Sequence, residues 1–127
     1  MEKVLVTGAT GYIALHCVQQ LLDQGYAVNG SIRSPERKNE VIEALKNSGT
    51  STENLNLYVF DLTNDEGWDD GMEGCDYLLH VASPLALENH TEDYFVKPAV
   101  AGAKRALKFA KKHGVKKVVL TSSVAAI

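Results

Sequence analysis

The sequence predicts a doubly wound α/β fold, in which helices cover both faces of a parallel sheet. Short apolar runs rich in β-branched residues, beginning at residues 4–7, alternate with segments of helical period such as residues 12–23. Each run is apolar enough to be buried on both faces, which is typical of parallel strands joined by right-handed crossovers. The 127 residues and 45% hydrophobic content suit one domain with a substantial core.

Five strands are expected, in the spatial order 3-2-1-4-5. They are predicted at residues 4–7, 26–33, 55–62, 75–82 and 116–123. Helices are predicted at residues 12–23, 36–46 and 65–71, and a long helix is predicted between the fourth and fifth strands. The stripe of this long helix that packs on the sheet is predicted to contain Phe95, Ala99, Gly102, Ala103, Ala106, Leu107 and Ala110.

Charge and apolar patterning exclude two classes of partner. The formal net charge is −3, with Lys and Glu interspersed, so the chain offers no basic face and no nucleic-acid partner is expected. No apolar stretch approaches the roughly 20 residues that a bilayer requires. Met1 leads directly into a strand without the pattern of a signal peptide. We therefore expect no membrane segment and a cytoplasmic protein.

The cysteine and histidine residues show no metal-binding or disulfide pattern. Cys17 and Cys75 are far apart and lack a CxxC or His-bearing spacing, so both are expected to be buried or half-buried thiols, with no metal site. His80, at the end of the fourth strand, is expected to be a hydrogen-bonded strand-end residue rather than a base or a ligand.

The segment TGATGYIA, at residues 7–14, predicts a dinucleotide site between the first strand and the first helix. Gly8 permits a tight turn, Gly11 lets the backbone approach a diphosphate, and Ala14 keeps the helix close to the strand, as in Rossmann-like units. Two glycines three apart are a weak signal, but here they follow a buried strand and open an amphipathic helix. The alternative is a turn that only connects strand and helix.

The start of the first helix supplies the expected contacts to the anion. Thr10 lies in the turn, and the backbone N–H groups of Gly11, Tyr12 and Ile13 are expected to be free. The N-terminal end of a helix also carries a partial positive charge. This turn is therefore predicted to bind the diphosphate.

The end of the second strand predicts the choice of cofactor. About twenty residues beyond the glycines, an Asp or Glu holds the ribose hydroxyls of NAD. Arg33 stands in place of that acid, and Arg37 and Lys38 follow it, so a 2′-phosphate is accepted rather than repelled. NADP(H) is therefore the expected cofactor. The alternative is an ordinary exposed Arg after a strand.

Two further strand ends share the same carboxyl edge of the predicted sheet. Asp61 is placed to accept a hydrogen bond from the adenine amino group, and Leu62 to pack on the ring. A loop or helix-capping carboxylate is the alternative role for this Asp. Val81, Ala82 and Ser83 are small enough to let the ribose and diphosphate pass beside the fourth strand.

In this order and at these intervals, the motifs resemble those of extended short-chain dehydrogenases/reductases. The resemblance covers the whole chain and rests on TGATGYIA, Arg33 in SIRSPER, DL at residues 61–62, HVASP at residues 80–84 and TSSVAA at residues 121–126. The Arg of SIRSPER, HVASP and KPAVAG at residues 97–102 are more particular to one branch. That branch contains dihydroflavonol reductases, cinnamoyl-CoA reductases and bacterial aldehyde reductases.

The resemblance implies hydride transfer from the nicotinamide of NADPH to a small carbonyl substrate, an aldehyde or a ketone. Ser123 matches the catalytic serine of the family, whose hydroxyl stabilises the developing alkoxide. Ser122 is expected beside the cofactor. Thr121 and Ser122 are rivals for the catalytic position, and a further alternative is that both serines only cap the strand end.

The chain is expected to stop before the catalytic machinery is complete. The family places a YxxxK motif after the fifth strand, and no Tyr of this chain has a Lys four positions later. Residues 1–127 are thus predicted to be an NADP(H)-binding portion that is incomplete at its C-terminal side. The alternatives are a non-catalytic NADP(H)-binding regulator, a nucleotide-sugar epimerase or dehydratase, and a hydroxysteroid dehydrogenase.

Overall fold

The computed structural model describes residues 2–60, 65–81 and 92–120, with side chains of the last range from residue 102 onward. Within these ranges, five parallel strands form one sheet in the order β3-β2-β1-β4-β5, which confirms the predicted topology. The strands are β1 (Lys3–Val6), β2 (Ala27–Ile32), β3 (Leu55–Val59), β4 (Tyr77–His80) and β5 (Lys117–Leu120). The helices are α1 (Tyr12–Asp23), α2 (Lys38–Asn47), α3 (Trp68–Met72) and α4 (Glu92–Lys112), with a 3₁₀ turn at Pro35–Arg37.

Strand β1 lies at the centre of the sheet, where the order of the strands reverses. Val4 is in register with Val28 of β2 on one side and with Tyr77 of β4 on the other. Val4, Leu5 and Val6 are all buried, as expected for an inner parallel strand. The carboxyl ends of β1, β2 and β4 therefore meet at one edge of the sheet, on both sides of the reversal.

The two outer strands differ from the prediction that every strand is buried on both faces. In the described part of the chain, β3 pairs only with β2, and β5 pairs only with β4. Val59 of β3 is 47% exposed, and Val119 and Leu120 of β5 are 49% and 46% exposed. An apolar run therefore indicates a strand without indicating whether that strand lies inside the sheet or at its edge.

Two separate hydrophobic cores lie on opposite faces of the sheet. The α1/α2 core consists of Val4, Val6, Ala9, Ala14, Val18, Val28, Ile32, Val41 and Leu45. The α3/α4 core consists of Leu5, Phe60, Trp68, Met72, Cys75, Leu78, Ala106, Phe109 and Ala110. Successive side chains of a strand point to opposite faces, so Leu5 belongs to one core and its neighbours Val4 and Val6 to the other.

The buried side of α4 differs in part from the predicted stripe. Ala106 and Ala110 are buried as predicted, but Leu107 is 44% exposed, and Phe109 is buried in the α3/α4 core. The prediction for Leu107 was wrong, because the side of α4 that packs in the α3/α4 core carries Ala106, Phe109 and Ala110. Phe109 stacks there on Trp68 of α3, with ring centroids 5.8 Å apart. No described helix, α4 included, is long and apolar enough to cross a membrane.

Both cysteines are free thiols, as predicted, with Cys75 buried in the α3/α4 core and Cys17 half-buried on α1. Asn29 ties β2 to α3, because its Nδ2 donates to the Gly71 carbonyl at 2.8 Å and to the Cys75 sulfur at 3.6 Å. Burial raises the pKa of the Cys75 thiol to about 11. This thiol therefore stays protonated at neutral pH.

Candidate dinucleotide-binding site

The loop between β1 and α1 makes a tight turn at the carboxyl edge of the sheet. Gly8 has a φ of 69°, a left-handed conformation that side chains rarely permit, and Thr10 is half-buried in the same turn. The N–H of Gly11 donates to the Gly8 carbonyl at 2.9 Å. The prediction that the Gly11 amide is free was therefore wrong, because this bond closes the turn. A Cβ at Gly11 would lie 3.3 Å from the same carbonyl oxygen, so this glycine serves the turn itself.

Helix α1 starts directly after this turn, and the backbone N–H groups of its first turn have no hydrogen-bond partner within the helix. Gly11 is the N-cap residue, no side chain caps the helix, and its first turn contains no acidic residue. The first backbone bond of the helix runs from the N–H of Leu15 to the Gly11 carbonyl at 2.8 Å, so the amides of Tyr12, Ile13 and Ala14 have no partner within the helix. Tyr12 is 79% exposed and Ile13 61%. These amides and the positive end of the helix suit an anion.

Strand β2 holds the loop on one side. The Oγ of Ser31 accepts a hydrogen bond from the Gly8 N–H at 2.8 Å, and the Ser31 carbonyl accepts one from the Ala9 N–H at 2.8 Å. Gly30 makes room for the loop, since a Cβ there would lie 3.0 Å from the Cβ of Ala9. Neither Ser31 nor Gly30 was predicted to belong to the site. The available signal is two successive small residues, separated from Arg33 by Ile32.

Strand β4 holds the loop on the other side. The Oγ1 of Thr7 accepts a hydrogen bond from the Val81 N–H at 2.9 Å and shares one of 3.0 Å with Nδ1 of His80, while the Thr7 N–H donates to the Leu79 carbonyl at 3.1 Å. His80 is buried, which lowers the pKa of its imidazole and keeps the ring neutral at pH 7. The prediction of a hydrogen-bonded strand-end histidine is confirmed.

Cationic side chains stand beyond the end of β2. Arg33 directly follows the strand and is exposed, and so is Lys38, the first residue of α2. Arg37 differs from these two, because its guanidinium pairs with the Glu40 carboxylate at 3.3 Å. The position where a carboxylate would favour NAD is thus occupied by an exposed guanidinium.

Two grooves lie among the described residues. One groove of about 190 Å³ lies between α2 and β3, and a second of about 270 Å³ lies over β1, β4 and β5. Lys38 lines the first groove, and the glycine loop at residues 7–11 lines neither of them. The site is recognised by its backbone donors and its charge.

Some predicted site residues lie outside the described residues, so their roles remain predictions. These are Asp61, Leu62, Ala82, Ser83, Ser122 and Ser123, together with Thr121 and the side chains of Phe95 and Ala99. The others lie at the carboxyl edge of the sheet. Gly8, Thr10, Gly11, Tyr12, Ile13 and Val81 lie where the strand order reverses, and Arg33 and Lys38 lie beyond β2.

A glycine turn with a positive φ, an uncapped helix end and a reversal of strand order beside them define the class of doubly wound nucleotide-binding folds. Within this class, the chain belongs to the NAD dependent epimerase/dehydratase family, whose model matches residues 4–127. The family resemblance inferred from the motifs is thereby confirmed.

Individual relatives are reductases and an epimerase. The chain is 41% identical over 127 residues to cinnamoyl-CoA reductase 2 of Arabidopsis thaliana, covering 99% of this chain and 36% of that protein. It is similar to yeast methylglyoxal/isovaleraldehyde reductase Gre2 complexed with NADPH (TM-score 0.84, 34% identity, 98% of this chain and 38% of that one). It is also similar to UDP-glucose 4-epimerase from Bifidobacterium longum in complex with NAD⁺ and UDP (TM-score 0.76, 26% identity, 96% and 37%). The chain thus spans a little over a third of the length of these relatives.

Proposed function

We propose that the protein is an NADP(H)-dependent reductase of an aldehyde or a ketone, and that residues 1–127 form its nucleotide-binding portion. The observation that carries the proposal is the exposed Arg33 at the end of β2, where a carboxylate would select NAD. Two similarities support it, since one relative is named a cinnamoyl-CoA reductase and another was solved with NADPH.

The described residues fit the diphosphate of such a cofactor. The amides of Tyr12 and Ile13 are available to phosphate oxygens, and no acidic side chain of the first helical turn repels them. Arg33 and Lys38 would pair with the 2′-phosphate as charge-assisted donors. When bound, NADPH supplies the hydride that reduces the carbonyl carbon.

The remaining roles follow from the family resemblance. Asp61 and Leu62 are proposed to hold the adenine, and Val81, Ala82 and Ser83 to line the path of the ribose and diphosphate. Two serines are proposed to lie near the carbonyl group of the substrate. Ser122 is proposed to lie beside the cofactor, and the hydroxyl of Ser123 to donate a hydrogen bond to the substrate oxygen as negative charge develops there.

The cofactor proposal is tested by removing the guanidinium of Arg33. Isothermal titration calorimetry of NADP⁺ and NAD⁺ into the wild-type protein and Arg33→Ala measures both affinities. Loss of a phosphate contact worth about 1–3 kcal/mol corresponds to roughly 5- to 150-fold weaker NADP⁺ binding, with NAD⁺ binding nearly unchanged. Arg105→Ala is the matched control, because that guanidinium lies on α4 and pairs with Asp65, so its loss should leave the ratio of the two affinities unchanged.

The proposed choice of cofactor is refuted by equal affinities of the wild-type protein for NADP⁺ and NAD⁺, or by tighter binding of NAD⁺. The reaction is tested separately, by following the absorbance of NADPH while the full-length protein is mixed with a panel of aldehydes and ketones. A loss of absorbance that depends on both protein and carbonyl supports a reductase. No loss with any member of the panel contradicts it.

A second candidate function is a non-catalytic NADP(H)-binding regulator. Such a regulator would need only the residues proposed above for nucleotide binding, without the carbonyl-side serine. Tight NADP⁺ binding without turnover of any carbonyl would select this candidate. An epimerase is the third possibility, supported by the similarity to UDP-glucose 4-epimerase, but the Arg33 side chain argues against the NAD⁺ seen in that relative.

A further inference from the structure

We infer that Ser31 is a positioning residue for the dinucleotide, and this inference rests on the proposed function. Ser31 lies near the end of β2 and is only 5% exposed. It holds the glycine loop with two groups, because its Oγ accepts from the Gly8 N–H and its carbonyl accepts from the Ala9 N–H, each at 2.8 Å. Ser31 therefore holds the loop in place, although it is not one of the residues whose backbone N–H groups are available to the diphosphate.

A relay of hydrogen bonds connects Ser31 to those amides. The peptide group that Ser31 holds begins Gly8, whose φ of 69° sets the direction of the turn. The Gly8 carbonyl accepts from the Gly11 N–H at 2.9 Å, and the Gly11 carbonyl accepts from the Leu15 N–H at 2.8 Å. Each bond positions the next peptide group. A change at the Ser31 hydroxyl is thereby transmitted to the first turn of α1.

The packing next to Ser31 makes the loop sensitive to this bond. Gly30 lets the loop approach so closely that a Cβ at residue 30 would lie 3.0 Å from the Cβ of Ala9. Ala9 itself is fully buried. The loop thus rests on β2 through van der Waals contact at one residue and through hydrogen bonds at the next, and these contacts fix its position on the strand.

Ser31 and Arg33 act on different parts of the same ligand. Arg33 is proposed to contact the 2′-phosphate, which NADP⁺ has and NAD⁺ lacks. The relay from Ser31 ends at the amides for the diphosphate, which both dinucleotides carry. Loss of the Ser31 hydroxyl should therefore weaken both dinucleotides by the same factor, whereas loss of Arg33 weakens only one.

The test compares Ser31→Ala with Ser31→Thr, which restores a hydroxyl acceptor. Ser48→Ala is the matched control, because the Ser48 hydroxyl bonds the Ala44 carbonyl on the exposed end of α2. Isothermal titration calorimetry of NADP⁺ and NAD⁺ gives the affinities. We expect Ser31→Ala to weaken both by about five- to tenfold, the size of one lost hydrogen bond, and Ser31→Thr to stay within about twofold of wild type.

Amide hydrogen exchange, measured by NMR without ligand, provides a second readout. In Ser31→Ala the Gly8 amide loses its acceptor and should exchange faster. The Val28 amide is an internal control, because it donates to the Asn54 carbonyl at 3.0 Å, at the end of β2 that is away from the loop. General destabilisation of the fold would accelerate exchange at both amides.

The outcomes separate this inference from the proposed function. Wild-type protein that binds neither dinucleotide contradicts the proposed function and the inference with it. Normal wild-type binding with unchanged affinities in Ser31→Ala overturns the inference alone. It is also overturned if only NADP⁺ binding falls, or if the Gly8 and Val28 amides accelerate together, because the hydroxyl would then serve the 2′-phosphate or the fold in general.

Discussion

Replacing Gly30 with alanine tests how closely the glycine loop packs on β2. The added Cβ would lie 2.9 Å from Cδ2 of Leu57 and 3.0 Å from the Cβ of Ala9. The Leu57 methyl is the end of a flexible side chain and can turn away. The Cβ of Ala9 moves only with the backbone of the loop, so the overlap must be relieved by shifting the loop or the strand.

The expected cost follows from two opposing effects. Overpacking of a buried site typically costs about 1–3 kcal/mol. Gly30 is outside the left-handed region, so alanine fits its backbone and regains about 0.4–1 kcal/mol by restricting the unfolded chain. We therefore expect Gly30→Ala to lower the free energy of unfolding by about 1–2 kcal/mol.

Urea denaturation of wild type, Gly30→Ala, Ala9→Gly and the double variant forms a double-mutant cycle. Ala9→Gly removes the methyl group that the new Cβ meets, so Gly30→Ala should cost at least about 0.5 kcal/mol less in that background. If Gly30→Ala alone is as stable as wild type, the loop does not pack closely on β2. An unchanged cost in the Ala9→Gly background would show that the strain arises elsewhere.

Two further predictions concern buried titratable groups. Burial lowers the pKa of His80 from its ordinary 6.5, so its stabilising contribution is complete above that pH and is lost as the pH falls through the folded-state pKa. Urea denaturation gives the free energy of unfolding at about pH 7.5 and about pH 5.5. Between these two pH values, that free energy should fall less in His80→Gln than in wild type, and equal falls would contradict a stabilising role of the neutral His80 ring. With a pKa of about 11, about one Cys75 thiol in a thousand is ionised at pH 8, so a disulfide reagent should label Cys17 first and Cys75 only as the chain opens. Cys17→Ser should abolish the fast phase of the labelling reaction. A fast phase that persists in this variant would contradict its assignment to Cys17.

The strand order and most element positions were predictable because they depend on local patterns. The apolar runs and the helical period place each element along the chain, and the handedness of crossovers leaves few possible arrangements. The structure begins α1 at Tyr12 and ends it at Asp23, the bounds predicted from the sequence. Gly8 was predictable for the same reason, since a glycine at this point of a strand-turn-helix unit indicates a positive φ.

The supporting contacts of the site were not predictable, because they join distant parts of the chain. Ser31 lies 23 residues from Gly8, and His80 lies 73 residues from Thr7. A hydroxyl in a strand has no pattern that names its partner. The same limit applies to Leu107 and Phe109, since either can belong to an apolar helical stripe, and the partner that Phe109 meets, the ring of Trp68, lies on another helix.

The separation of the two cores has a consequence for the nascent chain. Every buried member of the α1/α2 core lies between Val4 and Leu45, so most of this layer can form before the later strands, which add partly buried residues to it, leave the ribosome. The opposite side of β1 is different, because Leu5 is covered by Phe60 and by helices that are translated later. During that interval most of one hydrophobic layer has formed while Leu5 stays uncovered, and the exposed apolar side of β1 can then associate with other newly made chains.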